Sequence, residues 1–433
     1  MIEEWVLDDP AELTRADEAG LLLDLASAGA TVRRAVRLAN EAGLDGLRPE
    51  GRPRTTFVVG HGSAVLAGEL LAALGGATCP VNVLRPTLQE PADPAADPAS
   101  SSPAPGAVPG SAISPAELRS DFTLGLGWTL PGWAGPSDLV LVLSTSGTEP
   151  GLIALAQQAY VRGCSIVSIA PAGSTLAQAT LQVRGLPLPF EASDAAPEPP
   201  SGLDRDLPQE PPSALWGLLT PLLALADRAG LAAVPPASLQ RAADRLDEVA
   251  VRCGPTADAY RNPAKSLAIN LDGVLPLLWS DGPATAAVAA RFAAMLAARA
   301  GRPALTGLLP EAIPGQLGLF LGQLGTEADA DDFFRDRTEE PDALRLKVLL
   351  LRRTPQPQPE SQPQTEPEHQ PQPQPVPATV ARAHRLASDH QVGIQELTTS
   401  LVDPLDALAE LLAMTDFAAV YLGLAAPAGS RIH

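Results

Sequence analysis

Two short stretches carry residue types that could hold an anion. Ser144-Thr145-Ser146-Gly147-Thr148-Glu149 follows the apolar run Leu139 to Leu143, and Gly60-His61-Gly62-Ser63 follows Thr55 to Val59. Each opens onto a segment with helical spacing. The first turn of a helix presents backbone N–H groups with no partner inside the helix, and its dipole favours negative charge there. The hydroxyls of Ser144, Ser146 and Thr148 add donors, while Gly60, Gly62 and Gly147 allow close backbone approach. One reading is a phosphate cradle built without an arginine. The other is a pair of helix caps, in which Ser and Thr serve only the helix that follows. Capping accounts for a single hydroxyl better than for all of them.

Such turns need a sheet beneath them. Thr55 to Gly60, Leu139 to Leu143 and Ser165 to Ile169 are short apolar runs rich in branched residues. Helical spacing separates them, over Leu21 to Ala42, Ala64 to Leu74 and Pro150 to Arg162. After residue 213 the alternation restarts. Leu215 to Ala229, Ser238 to Cys253 and Ala286 to Ala300 read as helices, and Val274 to Trp279, Leu344 to Arg352 and Val392 to Leu397 as strands. Pro404 to Leu424 closes the chain as a helix or helix pair. Continuously apolar strands alternating with helices imply parallel sheets covered on both faces. The expected class is α/β, with two doubly wound parallel-sheet lobes. Ligands of such sheets bind beyond the carboxyl ends of the strands, where both polar turns fall.

Composition narrows the function. The chain has 433 residues, 45% of them hydrophobic, which suits two globular domains. Its net charge of −20 argues against nucleic acid or an anionic membrane as partner. Any bound phosphate must then be held by local N–H and hydroxyl donors against an unfavourable global field. Cys79, Cys164 and Cys253 are widely spaced and read as buried small residues rather than zinc ligands or disulfides. His61 lies inside the first turn and reads as a partly exposed loop residue; His369, His384, His390 and His433 show no metal-ligand spacing. No metal or other cofactor is expected. The acidic start, Met1-Ile2-Glu3-Glu4-Trp5, does not look like a secretory signal, and no long uncharged apolar run suggests a membrane span, so a cytoplasmic location is expected. Pro91 to Pro115, Pro197 to Pro212 and the Gln-Pro repeat Pro355 to Pro377 hold too few large apolar residues to fold, and read as linkers or loops.

With these residues in view, the chain resembles the sugar-isomerase (SIS) domain family of phosphosugar isomerases. Leu139 to Glu149, followed by Ala159-Tyr160-Val161-Arg162-Gly163-Cys164, resembles the SIS signature of apolar strand, hydroxyl turn, helix and glycine turn. Asn262-Pro263-Ala264-Lys265-Ser266-Leu267-Ala268 and Asp272-Gly273-Val274-Leu275-Pro276 are similar to the bifunctional glucose-6-phosphate/mannose-6-phosphate isomerase branch. Arg291-Phe292, Leu309-Pro310-Glu311, Asp416-Phe417 and Val420-Tyr421-Leu422 follow in that branch's order. The resemblance implies flavodoxin-like three-layer lobes and a homodimer. It also implies a sugar phosphate held by Ser144, Ser146, Gly147 and Thr148, with Gly60, Gly62 and Ser63 opposite. The hydroxyl turn is one residue shorter than the family's, and Ser63 matches the family serine across a one-residue gap.

The catalytic positions depart from that pattern. Aldose–ketose isomerisation needs a base to carry a proton between C1 and C2 and an acid to open the ring. The family's glutamate base falls on Ala298, its ring-opening histidine on Pro314, and its arginine within Pro211-Pro212-Ser213; its C-terminal lysine has no counterpart after Ala425. Glu311 is the one weak catalytic candidate. Losing a positioned acid or base costs roughly 10²- to 10⁴-fold each. The expected function is therefore binding of a hexose 6-phosphate with degraded catalysis. An active isomerase and a non-enzymatic interaction subunit that docks through its Gln-Pro tract are the alternatives. The expected organisation is an N-terminal lobe over 1–190 with an insertion at 91–115, a linker at 191–213, and a C-terminal lobe over 214–433 with an insertion at 355–377.

Overall fold

Short helices open the chain, α1 (Glu4–Asp8) and α2 (Pro10–Ala16), joined at Asp9, whose carboxylate caps α2 by accepting from the N–H groups of Ala11 and Glu12. In this computed structural model the described residues are 2–49, 51–75, 79–89, 125–192, 210–322, 345–354 and 377–427. The Pro-rich stretch 91–115, residues 193–209 and most of the Gln-Pro repeat lie outside them. The helix expected over Leu21 to Ala42 is two, α3 (Leu21–Ala26) and α4 (Ala28–Glu41). Ser27 divides them, its hydroxyl donating to the Asp24 carbonyl at 2.8 Å, the local competition that makes serine a poor helix-interior residue.

The first lobe follows as β1 (Thr55–Val59), α5 (Ser63–Gly75), β2 (Val81–Leu84), a small hairpin of β3 (Thr87–Gln89) and β4 (Gly125–Gly127), β5 (Asp138–Leu143), α6 (Pro150–Val161), β6 (Ser165–Pro171), α7 (Thr175–Gln182) and β7 (Leu186–Phe190). Its sheet runs in the order β2-β1-β5-β6-β7, with every pairing parallel. β1 and β5 are buried at every residue, because helices cover both faces, and this is why their sequences do not alternate. Val58, Leu139, Leu141 and Leu143 face the layer that holds α5; Phe57, Val59, Val140 and Val142 face α6 and α7.

The chain continues through α8 (Ala214–Arg228) and α9 (Pro236–Arg252) into a second lobe, with α10 (Pro263–Asn270), β8 (Val274–Ser280), α11 (Pro283–Ala300), β9 (Leu305–Leu308), α12 (Ala312–Leu321), β10 (Arg345–Arg353), α13 (Ala378–Asp389), β11 (Gly393–Thr399) and α14 (Pro404–Leu424). Its sheet is parallel too, in the order β11-β10-β8-β9. α12 and α13 cover one face over Trp279, Val348 and Leu350. The other face, with Leu278, Leu349 and Leu351, joins α11 and α14 in the core shared with the first lobe. α8 packs back on α4 and α5, while α14 packs on α9, α10 and α11. α14 is long and apolar enough to cross a membrane by composition, yet 94% of its apolar window is buried here, so it is the central core helix. Each fully buried Leu, Val or Phe of this core contributes about 1.5–3 kcal/mol. The three cysteines are buried and free, as their spacing suggests. The amino-terminal segment is pinned to the second lobe, Glu3 N–H donating to the Ala425 carbonyl at 2.7 Å.

Candidate functional site

β1 and β5 lie side by side in the middle of the first sheet, and the helices that follow them cover opposite faces. The chain leaves β1 toward one edge and resumes at β5 toward the other. That reversal opens a crevice at the carboxyl ends of the two strands. Both polar turns line it, one leading into α5 and the other into α6.

In the β5 turn, Ser144 is 2% exposed and organises its neighbours. Its Oγ accepts from the N–H groups of Ser146 and Gly147 at 3.1 and 2.6 Å, and its proton faces the two carboxylate oxygens of Glu149 at 2.7 and 2.9 Å. Ser146 Oγ also donates to Glu149, at 2.9 Å, and lies 2.9 Å from Thr148 Oγ1. Gly147 has φ of 69°, a left-handed conformation suited to glycine, and its carbonyl accepts from Leu176 N–H and Thr175 Oγ1 of α7. Ser144 is thus held inside the turn, while Ser146 and Thr148 reach its rim.

Glu149 joins this turn to the first one. His61 Nε2 lies 3.1 Å from Glu149 Oε1, and both side chains are largely buried. Burial pushes the Glu149 carboxyl up, but the hydrogen bonds from His61 and Ser144 outweigh it and hold the group at about 2. The same bond to Glu149 raises His61 against the opposing effect of burial, with help from the charge of Glu210. His61 is thus the partly exposed loop residue its sequence context suggests, and within that loop it is also a structural partner of Glu149. Its ring packs at a tilt to Trp128, whose indole N–H donates to the Gly60 carbonyl at 3.2 Å.

A second carboxylate lies between the turns. Ser63 N–H, in the first turn of α5, donates to Glu210 Oε2 at 2.8 Å, and Thr145 Oγ1 donates to Glu210 Oε1 at 3.2 Å. Gly62 has φ of 55°, and a Cβ there would fall 2.8–2.9 Å from the Glu210 carboxylate, so glycine is needed both for the turn and for the approach. The Ser63 hydroxyl, in a residue only 3% exposed, has no hydrogen-bond partner among the described residues. Neither Thr145 nor Glu210 stands out in the sequence as a site residue. Glu210 comes from a stretch that reads as a linker, yet its backbone is fixed. Arg299 donates to the Glu210 carbonyl at 2.9 Å and Arg291 to the Pro212 carbonyl at 3.1 Å, while Asp24 accepts from Ser213 N–H and Oγ at 2.8 and 2.6 Å. Arg291 in turn pairs with buried Asp416 at 3.1 Å.

The candidate catalytic position lies elsewhere. Glu311 is exposed at the N-cap of α12 in the second lobe, and its side chain makes no capping bond. Ala298 and Pro314 sit on α11 and α12, where neither can move a proton. No group of His, Cys, Asp and Glu that could hold a metal occurs among the described residues.

Residues 260–427 match the family model for the bacterial phospho-glucose isomerase C-terminal SIS domain. A search of curated protein sequences found no match. Among solved structures, a hypothetical protein from Thermus thermophilus superposes with a TM-score of 0.53 at 13% identity, over 96% of this chain and 88% of that one. A glucose-6-phosphate isomerase like protein from the same organism gives a TM-score of 0.46 at 20% identity, over 96% and 92%. The C-terminal domain of glucosamine-fructose-6-phosphate aminotransferase from Francisella tularensis gives 0.48 at 12%, over 93% and 92%. At such identities the likeness is one of fold. The chain folds as two parallel-sheet α/β lobes, and its second lobe carries the sequence match to an isomerase SIS domain.

Proposed function

We propose that the chain binds a sugar phosphate, of the hexose 6-phosphate class, in the crevice between the Gly60–Ser63 and Ser144–Thr148 turns, without working as an aldose–ketose isomerase. The observation that carries this reading is the carboxylate held there. An anion already lies at the start of α5, bonded to Ser63 N–H and Thr145 Oγ1, in a protein of net charge −20. Those donors suit phosphate oxygens equally well. The partnerless Ser63 hydroxyl supplies a further donor, Ser146 and Thr148 supply hydroxyls at the rim, and Gly60, Gly62 and Gly147 give the close approach. Ser144 acts at one remove by fixing the turn. The loss of chemistry rests on Ala298, Pro314 and the exposed Glu311, which leave no positioned base or acid at the family positions. The second lobe's match to an isomerase SIS domain supports the substrate class, and a homodimer is part of the same proposal.

Calorimetric titration of fructose 6-phosphate into the wild type and Ser146→Ala tests the binding. Saturable heat is expected for the wild type, with affinity about tenfold lower in the variant, the lower end of the worth of one hydrogen bond to a charged group. Equal affinities or no heat contradict the reading. A coupled assay with glucose 6-phosphate and mannose 6-phosphate should show no conversion. Turnover that disappears in Glu311→Gln would restore the active isomerase.

A further inference from the structure

Resting on that reading, we infer that Glu210 is an internal occupant of the anion cradle, so that a sugar phosphate binds only by displacing its carboxylate, and this competition sets the affinity. The carboxylate takes the donors a phosphate would use. Its two oxygens bond to Ser63 N–H and Thr145 Oγ1, on opposite sides of the crevice. The first turn is shaped to receive it, because Gly62 leaves open the space that the carboxylate fills. A carboxylate has two oxygens where a phosphate monoester has three free ones. The Ser63 hydroxyl, in a residue only 3% exposed and without a partner among the described residues, stands on the residue whose N–H holds the carboxylate.

Charge makes the two occupants exclusive. A phosphate bonded to Ser63 N–H would lie within van der Waals contact of the Glu210 carboxylate, and Glu149 already adds one negative charge beside Ser144. Two anions in contact repel strongly at the effective dielectric of a protein surface, so both cannot share the donors.

Geometry makes Glu210 an efficient competitor. The backbone on which it stands is clamped by Arg299 at its own carbonyl, by Arg291 at Pro212 and by Asp24 at Ser213. Only the side chain has to turn for the cradle to empty or fill. A group tethered this closely competes at an effective concentration of millimolar or more. Sugar phosphates should therefore bind the wild type weakly, and respond only to high ligand concentrations. Glu210 is in this sense a specificity-determining residue, since a neutral sugar, lacking a group that competes for these donors, would not displace it.

The test is calorimetry with fructose 6-phosphate and with inorganic phosphate on the wild type, Glu210→Gln and Glu210→Ala. Both ligands should bind Glu210→Ala at least tenfold more tightly than the wild type. Glu210→Gln, which keeps shape and a hydrogen-bonding oxygen but loses the charge, should fall between them. The rise in melting temperature caused by each ligand gives the same ranking independently of each variant's own stability. Equal affinities in all three proteins overturn the displacement while leaving the binding site standing. Weaker binding in the variants overturns it too, making Glu210 a direct ligand contact. Heat from none of the three proteins, with either ligand, overturns both this inference and the binding on which it rests.

Discussion

The two lobes share a plan, parallel strands leading through short turns into helices, but treat their strand ends differently. In the first lobe the ends of β1 and β5 carry Gly, Ser and Thr, and the Glu210 carboxylate among them is held by an N–H and a hydroxyl. In the second lobe the ends of β8, β10 and β11 carry charges that answer one another. Arg352, 8% exposed, pairs with Glu396 at 2.7 Å, and Glu396 also meets His384. Asp281 accepts from Thr285 Oγ1 at 3.0 Å, and Thr399 Oγ1 donates to Glu410 at 2.8 Å. These charges are spent mostly on one another and on hydroxyls, although Arg352 Nε and Arg353 Nε are buried without a hydrogen-bond partner among the described residues. Uncharged donors that converge on an exchangeable anion stay open to a ligand. The difference predicts that changes at the second set of strand ends act on stability, while at the first set the Ser63, Thr145 and Glu210 positions act on binding and the His61–Glu149 pair acts on stability.

The largest effect on stability should come from the second lobe. Glu396→Ala removes the nearer of the two carboxylates of buried Arg352 and leaves Asp281 at 3.8 Å, at a cost of about 2–3 kcal/mol, under the figure for a fully buried pair because Glu396 is partly exposed and Asp281 remains. Chemical denaturation measures this, and fructose 6-phosphate affinity should stay within about twofold, well under the tenfold worth of a hydrogen bond to a charged group. A large loss of affinity would break the division between the lobes.

Glu149→Gln should come next, costing about 1.5–3 kcal/mol as the bonds from His61, Ser144 and Ser146 lose a charged acceptor. Its pH dependence has a definite sign. The folded Glu149 carboxyl titrates at about 2, below its ordinary value of 4.5, so its contribution is complete above pH 4.5 and disappears as pH falls toward 2. His61 is raised from 6.5, so its contribution is complete below that value and is lost as pH rises through the raised one. Wild type minus variant should therefore be greatest between about pH 4.5 and 6.5 and shrink on both sides. Denaturation midpoints at about pH 3, 5.5 and 9 check this; a constant difference would remove the charged pair.

Ser63→Ala should be the mildest for folding, within about 0.5 kcal/mol of the wild type, because the hydroxyl has no partner to lose among the described residues. Its ligand affinity should nevertheless fall about tenfold, as a hydrogen bond to a charged phosphate is lost. Loss of stability without loss of binding would invert the comparison.

Much of this fold is legible in the sequence because buried parallel strands advertise themselves. Thr55 to Val59, Leu139 to Leu143 and Ser165 to Ile169 are each a strand, and the first two lead into the expected helices α5 and α6, whereas α7 after the third goes unmarked. Edge strands are harder to see. β7 reads Leu-Pro-Leu-Pro-Phe, and its prolines look like a loop until the sheet order places it at the edge. Pro187 and Pro189, two residues apart, turn their missing N–H groups to the same open side, where no strand needs them. β2, only four residues long at the other edge, goes unmarked for a similar reason. The break at Ser27 is invisible locally, since buried Asp24 is held there by Ser213, 189 residues away.

The site was half legible. Hydroxyls and glycines at strand ends mark both turns, as their local chemistry requires. Their electrostatics are not local. Glu149 looks like an ordinary first-turn carboxylate until His61, 88 residues earlier, is brought against it. Glu210 reads as part of a linker composition, and only folding brings it against Ser63, 147 residues earlier, with Arg291 and Arg299 holding its backbone.

The most direct measurement is a crystal structure of the protein grown with fructose 6-phosphate. It should show the phosphate bonded to Ser63 N–H, Ser63 Oγ and Thr145 Oγ1, with the Glu210 side chain turned out of the crevice. A sugar phosphate bound elsewhere, with Glu210 still on Ser63 and Thr145, would contradict the account.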